Sequence, residues 1–269
     1  MYEKYWGLQE KPFENTPDPR FLFHSDDIAE VFTRLLYALK NNRGAAMLTG
    51  GSGCGKTLMA RALVQEFDPE TTEVALLTNP RWNPDEFLRE ILYQLGEESS
   101  LENRAQIVHR LNEVVFENFS AGRETIVLID EGQLLEDPDI FEEIRLLLNF
   151  QLNDAFLIHL LLVGQPLLAK RVRQVETLDQ RIAVRCTLQP LADEEVPDYM
   201  AHRLQVAGRE ESIFDLDAID LICGYADGIP RKINNICDIA LVIGFSRKLK
   251  AIDADWMQRL IQAENDDGV

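Results

Sequence analysis

The 269-residue chain lacks an apolar run approaching ~20 residues, so the sequence offers no candidate transmembrane helix. Its first residues, MYEKYWGLQEKPF, lack the apolar stretch of a secretory signal. Cysteine is scarce: Cys54, Cys186, Cys223 and Cys237 have no CxxC spacing and no paired histidines, which argues against a zinc site and suits reduced thiols. Basic excess is missing as well. Lys plus Arg number 27 against 46 Asp plus Glu, a net charge of −19. The deficit runs through both parts of the chain, with 19 basic and 30 acidic residues up to Pro190 and 8 and 16 after it. A dominant nucleic-acid surface is therefore disfavoured, although a local basic strip is not. There is no internal repeat and no low-complexity tract. What remains, 46% hydrophobic and 27% charged, is an ordinary globular composition.

Local pattern divides the chain in three. Residues 1–28 hold Pro12, Pro17 and Pro19 among aromatics and read as an extended or turn-rich arm that packs on the core. Residues 29–190 alternate strands and helices. Strands are expected at Ala45–Thr49, Glu73–Thr78, Thr125–Ile129, Phe156–Val163 and Ile182–Leu188. Helices are expected near Asp27–Leu39, Leu58–Phe67, Asp85–Leu95 and Asn103–Phe119, and from Pro138 with Asp137 as its cap. Strands that are apolar throughout and alternate with helices predict a parallel sheet buried on both faces, an α/β core. Residues 191–269 show helical periodicity near Asp193–Val206, Asp217–Tyr225, Pro230–Phe245 and Ala254–Ala263 and no strand, hence a small all-helical domain with an acidic tail.

The chemistry is concentrated at Gly50-Gly51-Ser52-Gly53-Cys54-Gly55-Lys56-Thr57, which fits G-x-x-x-x-G-K-[ST] in full. Glycines allow positive φ and turn backbone N–H groups toward one point, and a helix starting near Lys56 adds its positive end. Backbone from Gly51 to Leu58 can thus cradle the phosphates of ATP. Lys56 reaches the β- and γ-phosphates, and the Thr57 hydroxyl can ligate Mg²⁺. Cys54 fills a position that tolerates many residues. About 75 residues on, Thr125-Ile-Val-Leu-Ile-Asp130-Glu131 ends an apolar strand in two carboxylates. Asp130 suits a magnesium ligand, direct or through water, and Glu131 a general base that polarises the attacking water.

On these residues the chain resembles the AAA+ ATPase domain of the ExeA/GspA family, associated with bacterial type II secretion. The likeness runs from about Tyr2 to Ile261. It is carried by the opening YWGLQEKPFENTPDPRFLFHS and by Asp130-Glu131-Gly132-Gln133. Two further blocks are Leu162-Val163-Gly164-Gln165-Pro166 and Gly228-Ile229-Pro230-Arg231-Lys232-Ile233-Asn234. The resemblance implies a five-stranded P-loop core, a helical lid, and nucleotide held between them. It implies that Gln165 senses the γ-phosphate, that Arg231 reaches the phosphates from the lid, and that Phe23 and His24 help to cover adenine. Arg181, in Gln180-Arg181-Ile182, matches an arginine finger offered to a neighbouring subunit, with Arg185 as competitor. The family's longer members carry a transmembrane helix and a peptidoglycan-binding part, which this chain lacks, so a direct cell-wall role is not carried over. Pro197 departs from the family pattern. It is tolerated if its helix starts nearby and otherwise kinks it.

Lys170, Arg171, Arg173, Arg181 and Arg185 share 16 residues with only Glu176 and Asp179 as acids. This strip is a subunit interface meeting acids such as Asp139, Glu142 and Glu143, a DNA backbone contact, or a solvated face. The expected function is an ATP-hydrolysing assembly factor. It forms homo-oligomers with ATP, acts on a protein partner in secretion or envelope assembly, and is cytoplasmic or bound at the inner membrane through that partner. A DNA-bound regulator of the transposition type and a nucleotide-gated scaffold with little turnover are the competing readings.

Overall fold

A computed structural model describes residues 1–41, 43–78, 80–97, 103–152 and 155–267, with side chains to residue 265. The elements in chain order begin with α1 (Glu3–Trp6), α2 (Asp26–Lys40), β1 (Ala45–Gly50), α3 (Lys56–Gln65), β2 (Thr72–Leu77), α4 (Pro84–Gln94), α5 (Arg104–Ser120) and β3 (Glu124–Ile129). They continue with α6 (Pro138–Leu147), β4 (His159–Gly164), α7 (Pro166–Gln174), α8 (Glu176–Asp179) and β5 (Ile182–Leu188). The helices α9 (Val196–Val206), α10 (Leu216–Ala226), α11 (Pro230–Arg247) and α12 (Ala254–Asp267) close the chain. Two compact units result: residues 26–52 with 56–188, and residues 1–25 with 53–55 and 189–269.

The first is an α/β unit. Its sheet is parallel among the described residues, in the order β2-β3-β4-β1-β5. β1 and β4 are buried along their whole length and β3 beyond its first residue, as their unbroken apolar sequences require. Side chains from one face of the sheet, including Met47, Leu77, Val127 and Leu162, merge with Phe87 and Ile91 of α4 and Ile144 of α6 into one core. Local caps set the helices around it. Asn83 and Glu86 close a capping box on α4, and the Asp137 carboxylate accepts the Asp139 N–H at the start of α6. Since β4 lies between β3 and β1 and all run the same way, the segments leaving Gly50, Ile129 and Gly164 emerge side by side at one sheet edge.

Boundaries shift by a few residues from the sequence reading, and two helices of this unit, α7 and α8, were not foreseen. α7 places only Leu168 and Val172 inward, too few to stand out from its charges, though Pro166 in its first turn is a helix-start signal. β4 starts at His159, later than expected, because Phe156 pairs in an isolated bridge with Gln151.

The second unit is helical. It contains Pro197 in the first turn of α9, where a missing N–H breaks no helical bond, so the helix is not kinked. Gly228, before α11, has φ +67°, and a Cβ there would lie 1.9 Å from the Leu191 carbonyl oxygen, so the Gly-Ile-Pro-Arg block needs glycine at its head.

The arm carries a helical turn, α1, and groups with the helical unit. Trp6 Nε1 donates to the Leu241 carbonyl at 2.9 Å, and the Tyr2 hydroxyl donates to Asp238. The buried Arg203 guanidinium donates to the carbonyls of Pro12 and Glu14 and stacks 4.3 Å from the Phe21 ring centre. Aromatic residues announce burial but not the surface they bury against. The acidic tail continues α12 to Asp267, and its last two residues lie outside the described residues.

Candidate functional site

The glycine segment leaves β1 and enters α3, which starts at Lys56. Gly53 and Gly55 take φ of +81° and +92°. The Lys56 side chain is buried, and its ammonium donates to the Gly51 carbonyl at 2.8 Å. Cys54 is buried and in no disulfide and Leu58 is half-buried, while Gly51 and Ser52 are exposed.

Asp130 follows β3 directly, and its N–H donates to the Leu77 carbonyl of β2 at 2.8 Å. Its carboxylate is 4% exposed and held at both oxygens. Oδ2 accepts the Thr57 hydroxyl at 2.7 Å, and Oδ1 accepts the Glu131 N–H at 2.8 Å. This orientation spends the hydroxyl proton on Asp130 and leaves the Thr57 oxygen lone pairs for another acceptor of electrons. A paired hydroxyl and carboxylate, both hard oxygen donors, suit Mg²⁺, which keeps several waters and takes phosphate oxygens rather than demanding an all-protein cage. Consistent with that preference, no cluster of three or more His, Cys, Asp or Glu with ligating geometry occurs among the described residues.

Glu131 has φ +52°, a left-handed backbone uncommon outside glycine and of a kind concentrated at functional sites. It opens the short 3₁₀ turn Gly132–Leu134. Its carboxylate accepts from the Gln133 side-chain amide. Gln165 is half-buried at the N-terminal boundary of α7, and its backbone N–H donates to Gln133 Oε1 at 2.9 Å. The α/β unit thus brings together Lys56, Thr57, Asp130, Glu131 and Gln165. Gln133 sits among them without having drawn a role from the sequence; its signal was its place in the Asp130-Glu131-Gly132-Gln133 block.

The other expected residues lie in the helical unit or on α7 to β5. Arg231 is exposed at the start of α11, and its N–H donates at 3.3 Å to the carbonyl of Gly53, which belongs to the same unit. A Cβ on Gly53 would meet Arg231 Cβ at 2.9 Å and Ile229 Cγ2 at 3.0 Å. Phe23 stands edge-on to Tyr199 at 5.9 Å and 5.8 Å from the His202 ring, with His24 exposed beside it. Burial and the nearby Arg203 lower the His202 pKa, which favours its neutral form. Arg181 donates to the Leu148 carbonyl at 3.2 Å. Arg185 is tied to Asp179 by an ion pair at 3.0 Å and by a second bond to its carbonyl.

The basic strip is thus only partly a strip. Lys170 and Arg173 are exposed, but Arg171 donates inward to the carbonyls of Gln133 and Leu135. The acids proposed to face it are also spoken for in part. Glu143 is buried against Arg104, and Glu142 pairs with Arg145 at 2.6 Å, while Asp139 stays exposed. Glu143 therefore meets another copy only if its pair with Arg104 opens.

Residues 39–172 match the model of the AAA domain family. The chain is 36% identical over 251 residues to General secretion pathway protein A of Aeromonas hydrophila, covering 92% of this chain and 45% of that protein. It therefore spans less than half of that relative. Among solved structures it is similar to the ORC2 protein of Aeropyrum pernix in ADPNP and ADP complexes, with TM-score 0.74 and 17% identity over 94% of this chain and 71% of the other. It is also similar to CDC6P from Pyrobaculum aerophilum, with TM-score 0.71 and 18% identity over 90% and 67%. At such identities the structural likeness concerns the fold.

Proposed function

The chain belongs to the AAA+ ATPase family, in its General secretion pathway protein A-like branch, and from that premise we propose that it binds ATP with Mg²⁺ and hydrolyses it to ADP and phosphate. The observation that carries this reading is the Thr57–Asp130 hydrogen bond at 2.7 Å, which joins the glycine loop to the end of β3.

Backbone N–H groups from Gly51 to Leu58, Cys54 included, surround the phosphates, with the positive end of α3 behind them. The Lys56 ammonium exchanges the Gly51 carbonyl for β- and γ-phosphate oxygens and offsets charge as it spreads over them. Thr57 and Asp130 would hold the magnesium, which would supply positive charge against the phosphates. Glu131 accepts a hydrogen bond from the attacking water and takes its proton as the new O–P bond forms. The bond from the γ-phosphorus to the β–γ bridging oxygen breaks, and that oxygen leaves with its electron pair on ADP. Gln165, Arg231 and, from a neighbouring copy, Arg181 add donors to the transferred group, and Phe23 and His24 contribute to the adenine side. Arg181 is preferred to Arg185 as the finger because its single bond to a carbonyl is easier to exchange than the ion pair of Arg185.

ATP-dependent association of copies and movement of the helical unit then act on a protein partner in a bacterial secretion or envelope-assembly system. No helix among the described residues is long and apolar enough to cross a membrane. Phosphate release decides the matter. Wild type should turn over ATP with magnesium, and Glu131→Gln should lose about 10²- to 10⁴-fold in kcat while still retaining nucleotide. Arg181→Ala should lose turnover together with any ATP-dependent rise in mass. Equal rates in wild type and Glu131→Gln would overturn the assignment.

A further inference from the structure

Gln133 is buried at the turn after β3, and its side-chain amide is used at both ends. Oε1 accepts the Gln165 backbone N–H at 2.9 Å, and Nε2 donates to the Glu131 carboxylate. The orientation is fixed by chemistry. A backbone N–H can only donate, so it must meet the amide oxygen, and a carboxylate accepts, so it must meet the amide nitrogen.

The amide is also fixed in space. A Cβ on Gly164 would lie 2.8 Å from Gln133 Oε1, so the end of β4 leaves room for this side chain and for little else. Leu168 of α7 packs over Gly132, whose own added Cβ would meet Leu168 Cδ1 at 3.1 Å. Arg171, two turns into α7, donates to the carbonyls of Gln133 and Leu135 and holds the turn from the other side. Glu131 itself has a left-handed backbone, so its carboxylate direction depends on such neighbours more than on its own preferences.

We infer that Gln133 is a positioning residue for ATP hydrolysis: its amide ties the Glu131 carboxylate to the start of α7 and sets where that carboxylate meets the attacking water. A carboxylate has about four acceptor sites, and Gln133 uses one, which leaves the others for water. Any displacement of the Gln165 backbone reaches Glu131 through two hydrogen bonds. This rests on the ATPase reading above.

The test uses Gln133→Leu, which keeps the bulk and removes both bonds, and Gln133→Glu, which can still accept from Gln165 but cannot donate to Glu131. Each is measured for kcat and KM with magnesium and ATP, for ADP affinity by titration calorimetry, and for Tm. Both variants should lose about 10- to 100-fold in kcat, the scale of a misplaced reacting group. ADP affinity should stay within about twofold, a change well under 1.4 kcal/mol, since Gln133 has no place against the loop. Should Gln133→Leu fail to fold, Gln133→Glu alone carries the same expectation. A kcat equal to or above wild type in either folded variant overturns the inference, as does a parallel loss of kcat, ADP affinity and Tm, which would mark a merely structural role. A wild type that releases no phosphate sinks the ATPase reading instead, and this inference with it.

Discussion

Lys56 in the α/β unit and Arg203 in the helical unit are buried alike, 7% and 3% exposed, yet they are wired for opposite purposes. The Lys56 ammonium rests on a carbonyl of its own glycine loop, a neighbour that a phosphate oxygen can replace. Arg203 spans two carbonyls of the arm, Pro12 and Glu14, and lies across the faces of Phe21 and Tyr199. Burial of a charge therefore does not separate chemistry from architecture. The setting of the partner does: a carbonyl of the glycine loop itself in one unit, two carbonyls of the arm together with ring faces in the other.

Arg203→Met breaks the comparison on the architectural side and has the largest expected effect on stability. It removes the donors while leaving one buried and one part-buried carbonyl behind, at a cost of about 2–4 kcal/mol. Denaturant unfolding of the helical transition should register that loss, and residues 1–25 should become open to limited proteolysis. Arg203→Lys should recover little, because one ammonium cannot reproduce a planar fork across two acceptors. An unchanged midpoint would mean that Arg203 only decorates the arm.

On the chemical side the corresponding change is Gly53→Ala. The φ of +81° is strained for alanine, by roughly 1–2 kcal/mol. The added methyl would also press on Arg231 and Ile229 at 2.9 and 3.0 Å. Strain of that size in the loop should weaken ADP about tenfold in a calorimetric titration. Global stability should fall by less than for Arg203→Met. Undiminished affinity would remove Gly53 from the cradle.

The same contrast explains what could be read without coordinates. The phosphate loop is legible because its chemistry is local: eight consecutive residues dictate the backbone. Asp130 and Glu131 are legible because a run of apolar residues ends in them. The role of Gln133 is not, since it depends on β4 lying beside β3 and on the left-handed turn at Glu131, neither of which leaves a periodic trace. The surroundings of the arm were hidden for a related reason. Trp6 and Phe13 are buried, but the indole N–H of Trp6 meets a carbonyl 235 positions away, a pairing no local pattern encodes. Arg171 was counted into a charge run, whereas its guanidinium serves the turn after β3.

The smallest effect is expected at a third basic residue, which sharpens the comparison because it has more ionic partners and contributes less. Arg110 on α5 forms a fork with Glu97 at 2.8 and 2.9 Å and also meets Glu113 and Glu117, but it is 30% exposed. The Arg110 hydrogen bonds hold the Glu97 carboxyl below the usual carboxylate range. A carboxyl whose pKa is depressed on folding contributes stability that is fully present above its unfolded value of ~4.3 and is lost as pH falls through the folded value. Glu97→Gln should therefore cost no more than about 1 kcal/mol at pH 7. The difference from wild type should shrink toward zero in acid and also in high salt, which screens exposed charges. The Arg203→Met penalty should do neither, because the acceptors it abandons are neutral carbonyls. Unfolding curves of the two variants across pH and salt separate the cases. An Arg203→Met penalty that faded with salt as Glu97→Gln does would show that Coulomb attraction, and not hydrogen bonding to the arm, holds the helical unit together.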